Sequence, residues 1–311
     1  MSARTRQVVR TVLVTSFLVA VGIAAAGVVI GHTEEMAELL GRTETRWYLA
    51  LALTSLIASL LLGVQTWRKV LAALGSPLGF TDGARVCFAA IAGTYLPGPW
   101  WQALAAAHIG RRTGIAARRV VAGYLLVAVV NLLSATTVGL LVAPLVVGAN
   151  WAWLAVPLMV GGYVVWRPAS VLRLTDRAAR MLRRGPLVEQ AAPGGIRQAM
   201  LFQSTAWLIG GLHLWLLAVA LGAPPAETLS IGVGAYALAS AAGALTLVLP
   251  DGAGVRELVI IVALSSVLPV PVATLAAIGS RLCVIAAQAL CACGLALVVW
   301  SRQTATSSPL R

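Results

Sequence analysis

Charge is scarce in this sequence: 11% of its 311 residues are Asp, Glu, Lys or Arg, less than half the share usual in soluble domains. Acid is scarcer still, with 10 acidic residues against 23 basic ones, of which Lys69 alone is lysine. In a soluble protein a net charge of +13 would point to nucleic acid. Here the arginines stand beside apolar runs, where the positive-inside tendency and anionic headgroups account for them. No RNA- or DNA-binding motif occurs, so no nucleic-acid partner is expected. Four cysteines (Cys87, Cys283, Cys291, Cys293) lie in or beside apolar runs. They lack zinc or redox spacing and read as small apolar filler, with no metal site. No GxxxxGK[ST] stretch offers a nucleotide site, no cofactor is implied, and no Ser/His/Asp set marks a catalytic centre. The longest polar stretch, residues 167–198, is too short for a soluble domain.

What is present is apolar. Hydrophobic residues make up 59% of the chain, and runs of about 20 residues, enough to cross a bilayer, recur from end to end. The expected fold is an all-α polytopic membrane protein with a single domain over residues 1–311. The run at 12–30 follows Arg4, Arg6 and Arg10 and lacks a small-x-small cleavage site, so it reads as a retained span. The loop after it holds four glutamates against two arginines, which puts the N-terminus in the cytoplasm. A second span is expected over 47–64.

Residues 85–112 break the pattern. Two apolar pieces flank Pro97-Gly98-Pro99, each rising less than about 20 Å as a helix, short of a core of roughly 30 Å. Arg85 precedes them and Arg111, Arg112, Arg118 and Arg119 follow, so both ends read as cytoplasmic and the segment as a re-entrant hairpin. Spans follow at 120–142, 151–166 and 199–221. Between the last two, Arg173, Arg177, Arg180 and Arg184 recur at helical spacing, the mark of an amphipathic helix on the inner leaflet. A second broken unit runs from 229–249 through "PDGAGVRE" to 258–268, with no basic residue on its flanks. The last span, 273–300, leads to Arg302. The pattern is six full spans and two re-entrant hairpins entering from opposite faces, a weak inverted repeat. Its first arm, 229–249, is also long enough to cross fully, which would turn its loop to the cytoplasm.

The stretch "LPDGAGVREL" at 249–258 sets three ionisable residues between apolar segments, where such residues are functional candidates. Pro250 ends one half-helix, Gly252 and Gly254 let the chain turn and approach a ligand, and Glu257 falls in the first turn of the next. Free N–H groups there and Arg256 suit a phosphate. The bland alternative is that Asp251, Arg256 and Glu257 neutralise one another in a surface loop. Arg281, inside the last span, could snorkel, pair with Asp251 or Glu257, or face a phosphate. On the first hairpin the candidates are Pro97, Gly98, Trp101 and Gln102; Trp100 and Trp101 also suit a lipid wedge. His108 reads as interfacial, and His213 and Asn131 as helix–helix hydrogen-bonding groups.

"YLPGPWWQALAAAHIGRRTGI" and "LPDGAGVREL…AAIGSRL" resemble the lysylphosphatidylglycerol synthase transmembrane-region (flippase-domain) family. Pro250, Gly252, Gly254, Arg256, Glu257 and Arg281 match its second motif in order; Leu96-Pro97-Gly98 and Arg111-Arg112 match parts of the first. Gln102 and Ala105 stand where the first motif has an acid and an arginine, and Asp251 where a small residue is common, as in a divergent branch. The resemblance covers roughly residues 85–300 and implies movement of a lipid between leaflets. Nothing here resembles the soluble synthase domain, so aminoacyl transfer is not expected.

The leading expectation is a lipid flippase of the bacterial plasma membrane, both termini cytoplasmic, and not an enzyme. Its cargo would be an anionic or aminoacylated phospholipid or a polyprenyl-phosphate-linked sugar. Arg256 and Arg281 would hold the phosphate, and Asp251 and Glu257 the rest of the headgroup. The alternatives are a membrane transferase using Asp251 or Glu257 as general base, and a scaffold docking a separate synthase or glycosyltransferase on the basic surface at 167–197. The many Gly and Ala residues also permit a homodimer.

Overall fold

The computed structural model describes residues 43–96, 98, 100–142, 155–173, 177, 192–246 and 249–307. The expected first span at 12–30, the acidic loop after it, Pro97, Arg180, Arg184 and the start of the 151–166 span lie outside the described residues. Among the described residues every regular element is helical. In chain order these are α1 (Thr43–Ala73), α2 (Phe80–Thr94), α3 (Trp101–Arg112), α4 (Ala117–Gly139), α5 (Ala155–Trp166), α6 (Pro193–Ala220), α7 (Pro225–Leu245), α8 (Val255–Leu264) and α9 (Val270–Ser307). Short 3₁₀ turns lie at Leu140–Val142 and Pro250–Gly252.

Five of these helices, α1, α4, α6, α7 and α9, are long and apolar enough to cross a membrane. α2, α3 and α8, of 15, 12 and 10 residues, rise only about 22, 18 and 15 Å. α7 has 21 residues, so the first arm of the second broken unit does have spanning length. Local sequence sets these limits. Pro193 and Pro225 stand in the first turns of α6 and α7, where a missing N–H is harmless. Arg111 and Arg112 close α3, where the helix dipole favours cations.

The helices meet through small residues, as expected where van der Waals packing rather than hydrophobicity drives association. α1 and α6 form the most extensive pair and run antiparallel. Ser59 Oγ donates to the Ala206 carbonyl at 2.7 Å, while Gly195 packs on Ala73 near the other end. α6 and α7 are as close: a Cβ on Gly211 would lie 2.6 Å from Val233 Cα.

Two separate cores result. One joins the second half of α1 (Val64–Ala73) and the start of α6 (Ile196–Met200) to α2, α3 and α4. The other joins the first half of α1 (around Leu56) and the end of α6 (Leu214, Ala218) to α7, α8 and α9. The α2–α3 pair and the α7–α8 pair therefore sit at opposite ends of the α1–α6 pair. The first end carries exposed Arg111, Arg112, Arg118, Arg119 and Arg197. The loop between α6 and α7 at the other end has no basic residue. Within the amphipathic segment, Arg173 and Arg177 are helical and exposed.

Candidate functional site

The break between α7 and α8 is built by close backbone approach. Gly252 packs so tightly on α7 that a Cβ there would lie 2.4 Å from Gly243 Cα. A Cβ on Gly243 would in turn meet Cγ of Arg256 at 2.7 Å. Gly252 has φ +63° and Gly254 φ +85°, conformations that favour glycine. Asp251 shares the left-handed region (φ 47°, ψ 31°); among the described residues it is the one non-glycine with positive φ. Gly254 caps α8, and its N–H donates to Glu257 Oε2 at 2.6 Å. An acid at this third helical position satisfies a free donor and complements the helix dipole.

Four charges converge on this break. Arg256 Nη1 donates to Asp251 Oδ2 at 3.0 Å. From α9, Arg281 Nη1 lies 3.3 Å from the same Asp251 oxygen and 3.2 Å from Glu257 Oε1, and 3.4 Å from the Asp251 carbonyl. The four side chains are only 12–20% exposed. Two guanidinium groups and two carboxylates balance to zero, which is how charge is tolerated among apolar helices. Of the readings open for Arg281, pairing with both acids is the one realised. The ionisable residues of the break do neutralise one another, but in a nearly closed network rather than on an open surface.

The network reaches further than the sequence motif. The guanidinium carbon of Arg256 lies 5.8 Å from the Tyr236 ring centroid, within cation–π range. Tyr236, buried on α7, meets the ring of His213 edge-on at 4.6 Å and that of Trp207 at 5.7 Å. His213 is fully buried. Its Nδ1 contacts the Gly210 carbonyl, which can only accept, so Nδ1 carries the proton and Nε2 accepts from Ser280 Oγ at 2.8 Å. His213 thus joins α6 to α9 as a helix–helix hydrogen-bonding group, through Ser280, the residue just before Arg281.

The first-hairpin candidates are placed differently. Gln102 accepts a hydrogen bond from the Tyr124 hydroxyl at 3.1 Å, and its backbone packs against Gly93. Gly98 has φ +121°. Trp100 and Trp101 are exposed, as a lipid-facing wedge would be, and His108 is exposed too. What this end brings to the charged break is Tyr95, at the end of α2. Its hydroxyl donates to Gln288 Oε1 on α9 at 2.5 Å, and it lies within electrostatic reach of Asp251, Arg281 and Arg256.

Tyr95, Tyr236 and Gln288 are the residues that motif reading missed. A lone tyrosine inside the Gly/Ala-rich run 232–243 was the available signal for Tyr236, since a phenol buried among small residues requires a partner. Nothing local marks Gln288.

The arrangement can hold an oxyanion between two guanidinium groups, or a cation between two carboxylates, if the existing pairs are exchanged. No curated protein matches the chain. The sequence model of the lysylphosphatidylglycerol synthase TM region matches residues 15–292, a range that contains the entire charged network. The chain is a multi-pass membrane protein that belongs to the lysylphosphatidylglycerol synthase TM region family.

Proposed function

We propose that the chain moves a polar-headed phospholipid, or a lipid-linked intermediate, between leaflets of a bacterial plasma membrane. The observation that carries this reading is the balanced Arg256–Asp251–Arg281–Glu257 network, nearly closed from solvent at a helix break among apolar helices. Broken helices in transporters mark binding sites, and half-helix ends supply their polar groups. In this reading α2–α3 and α7–α8 are re-entrant hairpins entering from opposite faces, beside six full spans that include residues 12–30. Their positions at opposite ends of the α1–α6 pair, and the concentration of arginine at the α2–α3 end, support that topology with the basic end cytoplasmic. Arg256 and Arg281 hold the lipid phosphate; Asp251 and Glu257 face the rest of the headgroup, with the tails left in the bilayer.

A transporter fits these carboxylates better than a transferase does. Glu257 is held by the Gly254 N–H and Arg281, and Asp251 by two arginines, so neither stands free as a general base. The test is leaflet exchange in sealed vesicles of purified protein, with fluorescent aminoacyl-phosphatidylglycerol and polyprenyl-phosphate-linked sugar run side by side. Faster exchange of either lipid, lost in Arg256→Ala, supports the reading. No exchange, together with a new lipid product when a donor is supplied, replaces it with the transferase.

A further inference from the structure

The two arginines differ from Asp251 in how firmly they are held. Arg256 is braced by the Tyr236 ring at 5.8 Å, and its shaft lies against Gly243. Arg281 is braced by Glu257 at 3.2 Å, and Glu257 is itself anchored by the Gly254 N–H at 2.6 Å. Each guanidinium therefore keeps a partner and a position without Asp251. Asp251 sits on a 3₁₀ turn between Pro250 and Gly252, in a left-handed conformation at φ 47° that a non-glycine residue adopts at some energetic cost. One oxygen, Oδ2, takes both arginines, at 3.0 and 3.3 Å. A single oxyanion bridging two guanidinium groups is the geometry that a bound phosphate oxygen would take.

From this we infer that Asp251 is a tethered stand-in for the ligand's phosphate: its carboxylate occupies the bridging position between Arg256 and Arg281, and a lipid phosphate enters by displacing it. The inference rests on the transport reading and names the residue that sets the threshold for entry. Because the carboxylate is tethered, its effective concentration at the arginines is high, and a phosphate that makes only one contact loses to it. A phosphate that reaches both guanidinium groups replaces one charge-assisted hydrogen bond, from Arg256, and one ion pair, with Arg281, by two contacts of its own. Asp251 then restores the pairing when the lipid leaves, so the site is never left with two unpaired cations among apolar helices. Each guanidinium faces one bridging anion before and after the exchange.

The test is binding of dioleoylphosphatidylglycerol to the purified full chain in uncharged detergent, with dioleoylglycerol, which lacks the phosphate, as control. Asp251→Gly suits the positive φ and removes the competitor; Asp251→Asn keeps the shape and removes the charge. Both should bind the phospholipid about tenfold to a hundredfold more tightly than wild type, the equivalent of one charge-assisted hydrogen bond. The gain should vanish in Asp251→Gly/Arg256→Gln and be absent for dioleoylglycerol. Unchanged or weaker binding by both folded variants, or an equal gain for dioleoylglycerol, overturns the inference. So does loss of folded protein in both variants, since the arginines would then depend on Asp251. Leaflet exchange by wild type, reconstituted from the same preparation into sealed vesicles, separates the two claims. Exchange without a binding gain removes the stand-in role alone; a gain without exchange leaves it and removes transport.

Discussion

Gly252 and Gly243 touch backbone to backbone, close enough that a Cβ on Gly252 would lie 2.4 Å from Gly243 Cα. This contact folds the 3₁₀ turn onto α7 and brings the start of α8 under Arg281.

Gly252→Ala should therefore destabilise the chain by about 2 kcal/mol or more, from strain at positive φ and overpacking together. A Cβ on Gly294, on α9, meets nothing within 4 Å, so Gly294→Ala should be neutral or slightly stabilising. Thermal unfolding of the two variants in detergent reads the difference. Equal unfolding temperatures would show that the close approach is dispensable.

Arg281→Ala leaves Asp251 with Arg256 but leaves the Glu257 carboxylate with only the Gly254 N–H. Breaking a buried pair on one side costs about 3 kcal/mol or more, and residual exposure puts this one at the low end. The double variant Arg281→Met/Glu257→Gln removes both charges and should recover part of that loss. Failure of the second change to recover stability, measured by chemical unfolding, would deny the pairing an energetic role.

His213→Ala should lower the unfolding temperature, since it removes the link to Ser280 and opens a cavity beside Tyr236. At a temperature where the variant is folded, exchange per molecule should stay within about threefold of wild type, because both ring nitrogens of His213 are taken by Gly210 and Ser280. A stable variant with abolished exchange would move His213 into the transport site.

Tyr95→Phe removes the bond to Gln288 while keeping the ring. If the end of α2 must dock on α9 for transport, exchange should fall severalfold with little change in stability, as one hydrogen bond is worth only about 1 kcal/mol. Wild-type exchange in this variant would show that the α2 end is a bystander.

Much of this architecture was legible in the sequence because lipid imposes simple rules. Apolar length gave the long helices, and proline and glycine marked the breaks between α2 and α3 and between α7 and α8. The spacing of Arg256 and Glu257 placed both in the first turn of α8. Other features depend on distance in space. Tyr236 is uncharged and twenty residues before Arg256; only the fold of α7 against α8 stacks one on the other. Tyr95 and Gln288 are 193 residues apart. Arg281 had several equivalent readings until α9 was placed, because an arginine in a span can snorkel as easily as pair. Whether the 229–249 arm is re-entrant or a full span was ambiguous because hydropathy reports how apolar a segment is, and not how deep its far end lies.

In the proposed transport reaction, Arg256 engages the lipid. The most direct measurement is the initial rate of leaflet exchange in sealed vesicles for wild type, Arg256→Ala and Arg256→Lys, at matched amounts of folded protein. Transport through this site predicts a protein-dependent rate in wild type, loss to the protein-free background in Arg256→Ala, and a weak residual rate in Arg256→Lys, whose point charge cannot bridge as a guanidinium does. Full exchange by folded Arg256→Ala would contradict it.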